Sequence, residues 1–351
     1  MGIRMSHLGI LLSLMLFIPG CASKRPPALS AECADIALTG QLNVLTLNQP
    51  FDTPAAERKK SWADIAQFAV TNNIHVLLLQ EAVMTDIDNI HTLLGTSDSA
   101  RDLQLVLNER SADPYELHVA WETGVPLVLT TANAILSRCH VTRHFSTFLP
   151  IESEMVFKGI NLKITRNVQT AHIYVQGYGI LHLYNTHLCS ACSVEALGRQ
   201  VDELLGFVQQ VEAMAASSHA VIGGDFNLDS VKGSAEQSVY EAIMNGGFRD
   251  SYAEYRTAKF SEEPGTLCRN GIPDVHCTDG VSPLQGLIDR QTGADFSKPT
   301  RVDYLFLRGA NTVDTSKVVF NPGNAITGPI IPTEPAVSNH SGVFTRIRLG
   351  H

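Results

Sequence analysis

The run Ile74-His75-Val76-Leu77-Leu78-Leu79-Gln80, apolar at nearly every position and followed at once by Glu81, constrains this chain more than any other feature. A strand that is apolar on both faces must be covered on both faces, so it belongs to a layered sheet and not to a half-solvated meander. Its carboxylate is then delivered where the buried run stops. The same layout recurs. Leu42-Asn43-Val44-Leu45-Thr46-Leu47 ends at Asn48 ahead of Pro50, which cannot continue a central ladder. Ala220-Val221-Ile222 closes on Gly223-Gly224 and leads into Asp225-Phe226-Asn227. Residues 131–137 and 171–186 read as strands, the second stretch broken by a turn at Gly177-Tyr178-Gly179 and leading to Asn185 and His187. Arg301 to Leu307, holding Asp303, and Gly342 to Leu349, preceded by Asn339 and His340, complete the set.

Between the strands, apolar residues at helical spacing predict a helix over 54–72, with Trp62, Ile65, Ala66 and Ala69 on one face. A second is predicted over 194–216, with Leu197, Val201, Leu204, Leu205, Val208 and Val211 on one stripe. Strands alternating with helices predict an α/β fold. Residues 255–300 are rich in Gly, Pro and Asp and read as an irregular insertion, either substrate-facing or a pinned surface loop.

With 44% hydrophobic and 17% charged residues, the chain has ample apolar material for a large core, which excludes disorder as its main state. The 26 Lys and Arg against 35 Asp and Glu give a charge of −9, against the basic footprint of a general phosphate-backbone binder. A local groove or a bound cation could override that average, so charge does not exclude a nuclease.

At the N-terminus Arg4 precedes an apolar run from Leu8 to Ile18, then Pro19-Gly20-Cys21. This is the layout of an export signal, and the run is too short to cross about 30 Å of hydrocarbon as a helix. Phe17-Ile18-Pro19-Gly20-Cys21 resembles a bacterial lipobox, although Pro19 is unusual in one. The expected organisation is a signal peptide over 1–20, a lipidated Cys21 and tether over 21–33, and a single catalytic domain over 34–351. The resemblance implies a bacterial envelope protein held to the outer membrane by its lipid. Ordinary cleavage near Ala22-Ser23 would give a secreted one. Six further cysteines in an exported chain favour disulfides over a thiolate zinc site. Six cysteines allow 15 pairings, of which only the local ones, Cys189 with Cys192 and Cys268 with Cys277, are proposed.

The polar residues at strand ends are individually ambiguous: Glu81 could cap a helix, Asn48 could make an Asx-turn, and Asp225 could be a turn residue. His118, His172 and His219 have no motif context and read as ordinary surface or core residues. As an ordered set the strand-end groups are more specific. Leu47-Asn48, Leu79-Gln80-Glu81, Asn133-Ala134-Ile135-Leu136-Ser137-Arg138, Asn185-Thr186-His187-Leu188, Gly223-Gly224-Asp225-Phe226-Asn227, Arg301-Val302-Asp303-Tyr304 and Ser338-Asn339-His340-Ser341-Gly342 span about residues 41–349. In that order they resemble the endonuclease/exonuclease/phosphatase superfamily of DNase I-like nucleases and magnesium-dependent sphingomyelinases.

The resemblance implies a four-layered α/β sandwich, two packed mixed sheets flanked by helices, and hydrolysis of a phosphoester by in-line water attack. Glu81, with the carbonyl of Asn48, resembles the family's metal site, for Mg²⁺ or for Mn²⁺ or another divalent cation. His340 is the expected base, held by Asp303. Asp225 would position the water, with Asn227 and His187 serving the phosphoryl oxygens or the leaving group. Asn185 and Asn339 are expected to support the substrate. The family's final motif usually reads Ser-Asp-His; here Asn339 replaces the carboxylate, which removes a negative charge near the metal and should weaken metal binding or alter the base's environment.

Three destinations follow. Lys158-Gly159 with Asn161-Leu162-Lys163-Ile164, and Arg199-Gln200 with Glu203, look closer to bacterial sphingomyelinases, so a phospholipid head group is the favoured substrate of a monomeric enzyme. The others are an extracellular DNase I-like nuclease, for which there is no dense basic run, and a non-catalytic envelope protein retaining the fold.

Overall fold

The computed structural model describes residues 33–49, 55–84, 99–125, 129–151, 153–157, 160–190, 192–217, 219–230, 234–260, 301–320 and 340–350. In chain order the first elements are α1 (Ala34–Thr39), β1 (Gln41–Asn48), α2 (Ala55–Thr71), β2 (Val76–Met84) and α3 (Ser99–Arg110). Next come β3 (Glu116–Val125), β4 (Leu129–Ser137), β5 (Val141–Phe148), β6 (Ser153–Phe157), β7 (Ile160–Ile164), β8 (Asn167–Val175) and β9 (Gly179–His187). The chain continues through α4 (Val194–Met214), β10 (His219–Asp225), α5 (Gln237–Asn245), β11 (Arg249–Asp250) and α6 (Ser251–Phe260). It closes with β12 (Asp303–Gly309), β13 (Asn311–Val319) and β14 (Gly342–Leu349).

Twelve of these strands form two six-stranded sheets, ordered β13-β14-β1-β2-β4-β3 and β11-β12-β10-β9-β8-β5; β6 and β7 pair separately. Both large sheets are mixed: β1 runs parallel to β2 and antiparallel to β14, while β10 runs parallel to β9 and antiparallel to β12. The expected strand buried on both sides is β2. Val76 and Leu78 pack with Val44, Ile173, Leu183, Val221 and Leu305 in the core between the sheets. Leu77 and Leu79, on the alternate face, pack with Trp62, Ile65, Leu103 and Leu107 of α2 and α3. On the second sheet Tyr184, Ile222 and Phe306 meet Leu197, Val201, Leu204 and Val208 of α4. Three apolar layers between four structural layers give the α/β/β/α sandwich that the strand and helix patterns imply. Each such side chain contributes roughly 1.5–3 kcal/mol by leaving water.

α4 starts where a cap allows it, since the Ser193 side chain accepts from Ala196 N at 3.2 Å and Glu195 complements the first turn. Several elements differ from the sequence reading. β2 does not stop at Gln80 but runs to Met84, because a register shift between Leu79 and Ala82 lets Glu81 turn out at φ 53° while the ladder with β4 resumes. Residues 255–260 are the end of α6 and not irregular. Edge strands β3, β5 and β13 were not legible, because their polar and apolar residues mix; β5 alone carries Arg143, His144, Ser146 and Thr147.

Cys189 pairs with Cys192 as expected, with Cα atoms 6.0 Å apart. Cys33 pairs with Cys139 at 5.2 Å, a pairing that sequence spacing could not single out. The signal segment 1–20, Cys21 and its tether as far as residue 32, Cys268, Cys277 and Asn339 lie outside the described residues. Among the described residues, no helix is long and apolar enough to cross a membrane.

Candidate active site

Strand register gathers the polar ends. In the first sheet Asn48 pairs with Gln80, one residue before Glu81, and His340 enters just ahead of β14, whose Val343 pairs with Thr46. In the second sheet Asp225 stands opposite His187 on one side and Asp303 on the other. The two sheets then face each other through these ends. Gly223 permits that approach, because a Cβ there would overlap Leu78 of the opposite sheet and come within 2.8 Å of Leu305 Cδ2. Gly224 is equally constrained, since a Cβ would strike the carbonyl group of Thr186.

At the cleft Asn48 Nδ2 donates to Asp225 Oδ2 at 2.9 Å, bridging the sheets. Asp225 Oδ2 also lies 3.5 Å from His187 Nε2 and 4.0 Å from His340 Nδ1. Its other oxygen accepts from the backbone N–H of Asn227 at 3.0 Å. His340 Nδ1 is 2.9 Å from Asp303 Oδ2, and Asp303 is fully buried. A carboxylate is an acceptor, so Nδ1 carries the proton and the lone pair falls on Nε2, the tautomer a base requires. Glu81 Oε1 lies 4.0 Å from His187 Nε2, and Glu81 keeps about a quarter of its side chain exposed, toward solvent. Glu81 and Asn227 both adopt left-handed backbone, at φ 53° and 47°. Such conformations cost of order 1–3 kcal/mol and persist where the surroundings impose them, typically at functional sites.

At two of the expected residues the structure adds partners that the sequence did not announce. Asn185 is buried two positions, about 7 Å, deeper along β9 than His187. Its amide donates to the carbonyls of Leu79 and Ala134 at 2.9 Å each, and its oxygen accepts from Gln80 at 2.6 Å. It therefore clamps the two sheets together and supports the site only indirectly. Asn227 uses one amide hydrogen on the Leu188 carbonyl at 3.0 Å, which holds the loop after His187.

Two buried residues were missed. Arg166 Nη1 lies 3.0 Å from His187 Nδ1 and 3.3 Å from Glu122 Oε2, and Glu122 Oε1 accepts from Asn133 Nδ2 at 3.0 Å. Burial, followed by the positive charges of Arg166 and His340, holds the His187 pKa well below the usual imidazole range. Burial pushes the Glu122 carboxyl up to about 7 against the pull of Arg166. The available signal was slight: an acid within Trp121-Glu122-Thr123 and a base in the turn before β8.

Asp225, Asp303 and His340 bring ligand atoms within 4.8 Å of one another. His340 is tied to Asp303 through its Nδ1 proton, so that group reads as an oriented base beside a carboxylate and not as three ligands. Glu81 and Asn48 offer the oxygen donors that hard divalent cations prefer, next to the buried negative charge of Asp225. The residues present fit such an ion.

No protein-family profile matches the chain, and no curated protein matches it in sequence. Solved structures do match in fold. An endonuclease/exonuclease/phosphatase family protein from Leptotrichia buccalis superposes with a TM-score of 0.60 at 18% identity, covering 87% of this chain and 99% of its own. A mannosyl-6-phosphatase of Bacteroides thetaiotaomicron gives 0.55 at 15% identity over 87% of this chain and 99% of its own. The human nocturnin catalytic domain gives 0.53 at 14% identity over 89% and 96%. With two facing mixed sheets, outer helices and polar strand ends sharing one cleft, this chain has the endonuclease/exonuclease/phosphatase, or DNase I-like, fold.

Proposed function

We propose that the chain is an exported, divalent-metal-dependent phosphodiesterase that cleaves a phospholipid head group in the manner of a sphingomyelinase. The supporting observation is the convergence of Asn48, Glu81, His187, Asp225, Asp303 and His340 on one cleft formed by two sheets. A phosphodiester repels nucleophiles through its anionic oxygens. A divalent cation held by Glu81 and the Asn48 amide oxygen would neutralise the charge that builds at phosphorus. His340 takes the proton of the attacking water, and Asp303 fixes its tautomer and stabilises the imidazolium. Asp225 orients that water, and His187 would donate a hydrogen bond to a phosphoryl oxygen. Binding of Mg²⁺ is inferred from the oxygen donors.

The acidic chain, the motifs resembling sphingomyelinases and the lipobox-like sequence at Cys21 support a membrane-anchored monomer acting on a zwitterionic lipid over one acting on a polyanion. The test is Mg²⁺-dependent release of phosphocholine from sphingomyelin by the fragment starting at Ser23, with His340→Ala as the blank. Turnover abolished by EDTA and by the variant is the expected result. Cleavage of DNA instead, with sphingomyelin untouched, would replace the lipid with nucleic acid. No turnover on either substrate would favour a non-catalytic envelope protein.

A further inference from the structure

Arg166 sits in the turn before β8 with Glu122 on one side and His187 on the other, all three at most 8% exposed. A guanidinium has only donors. Its 3.0 Å contact with His187 Nδ1 therefore requires a lone pair on that nitrogen, since an imidazolium would set one N–H against another. The single ring proton then falls on Nε2, which faces Asp225 Oδ2 at 3.5 Å and Glu81 Oε1 at 4.0 Å. The backbone that carries Arg166 is not free to swing away. Thr165 Oγ1 donates to the Glu122 carbonyl at 2.7 Å, and Asn167 Nδ2 donates to the carbonyls of Ala120 and Trp121 at 3.0 and 2.7 Å. Residues on both sides of Arg166 are thus stitched to β3, which carries Glu122. Without Arg166, an ionised Glu122 Oε2, 3.8 Å from Nδ1, would draw the proton to the other nitrogen.

We propose that Arg166 is a positioning residue that locks His187 as the neutral Nε2–H tautomer, a hydrogen-bond donor to a phosphoryl oxygen and not the source of the leaving group's proton. In that reaction the proton of the attacking water passes to His340 and on to solvent, while the departing alkoxide is protonated by solvent water. What the donor meets rests on the phosphodiesterase reading; the tautomer does not.

Long-range ¹H–¹⁵N correlation spectra of the histidine rings, assigned with His187→Ala, test the tautomer directly. Wild type is expected to show His187 protonated on Nε2 alone, Arg166→Lys to keep that state, and Arg166→Met to gain Nδ1–H as the pH is raised to ionise Glu122. Protonated Nδ1 in wild type, or an unchanged ring in Arg166→Met, would overturn the assignment. The second arm compares bis(4-nitrophenyl) phosphate with an alkyl phosphodiester. Loss of the donor in His187→Ala should slow both to the same degree, within about threefold, whereas loss of a general acid would spare the nitrophenyl ester and slow the alkyl one by about 100-fold or more. Silence on both diesters would refute the phosphodiesterase reading and leave the ring nitrogens to decide the role of Arg166.

Discussion

Gly223→Ala tests whether close approach of the sheets is what forms the cleft. The new methyl group would overlap Leu78 Cδ1, come within 2.8 Å of Leu305 Cδ2 and press on Thr46 Cβ at 3.4 Å. Leu78 and Leu305 are fully buried, so relief requires off-rotamer side chains or a wider gap between sheets. Overpacking of this kind costs about 1–3 kcal/mol. Leu78→Val, which removes one methylene at the point of overlap, should cost about 1 kcal/mol alone. In the double variant the tighter overlap is relieved while that with Leu305 Cδ2 remains, and the combined loss should fall short of the sum by about 1 kcal/mol. Urea unfolding measured on all four proteins, read from midpoints at constant slope, gives the coupling. Because the Asn48–Asp225 bond spans the same gap, activity should fall in Gly223→Ala and recover in part in the double variant. Strict additivity, or a Gly223→Ala loss under about 0.5 kcal/mol, would refute the close-approach argument. Gly224→Ala should not be rescued by any side-chain trimming, since its obstacle is the backbone of Thr186.

Other outcomes follow from the same geometry. Asp303→Asn leaves the shape of the pair with His340 but not its charge, and kcat should drop about 10²–10⁴-fold in steady-state assays. His182 is buried in a stack on His172, and burial lowers its pKa from 6.5 to about 4. A base whose folded pKa is depressed favours the neutral native state, so its stability is complete above about pH 6.5 and is lost on acidification toward pH 4, by about 3 kcal/mol at 1.36 kcal/mol per pH unit. His182→Phe should flatten urea midpoints across that window. Asp35 is held well below the usual carboxylate range, first by its hydrogen bond to His75, so Asp35→Asn should blunt the further loss below about pH 4. Removing the Cys33–Cys139 bond, which closes a separation of 106 residues, should cost about 5 kcal/mol, against about 2 for Cys189–Cys192 with a separation of 3. Paired cysteine-to-alanine variants in chemical denaturation would measure both.

What could be read in the sequence was whatever strand pattern carries. Glu81, Asp225 and His187 end buried runs, so their place at one cleft followed from the runs. That β2 is covered on both faces was legible too, but not which of its leucines face helices and which the other sheet. It did not tell depth: Asn185 shares the pattern of His187, yet two residues along β9 turn a cleft residue into a clamp between sheets. Nor could pattern reveal groups that work by pairing. Glu122 and Arg166 are 44 residues apart in the chain and acquire meaning only where Nη1 meets both the carboxylate and the imidazole. The Cys33–Cys139 bond is of the same kind, a contact between distant positions that carry no local signature.

That bond also sets the polarity of the molecule. Cys139 follows Ser137, which pairs with Val76 at the start of β2, whereas Glu81 stands near the other end of the same strand. At about 3.3 Å per residue the cleft lies some 17 Å or more away along the sheet. The Cys33 anchor point is reinforced by Asp35, which bonds to His75 at 2.8 Å and to Arg138 at 2.9 Å. Whatever handle is joined upstream of Cys33, a lipid, a bead or a fused protein, is therefore moored at the pole remote from the cleft, and the protein immobilised through it would present its cleft to the bulk phase.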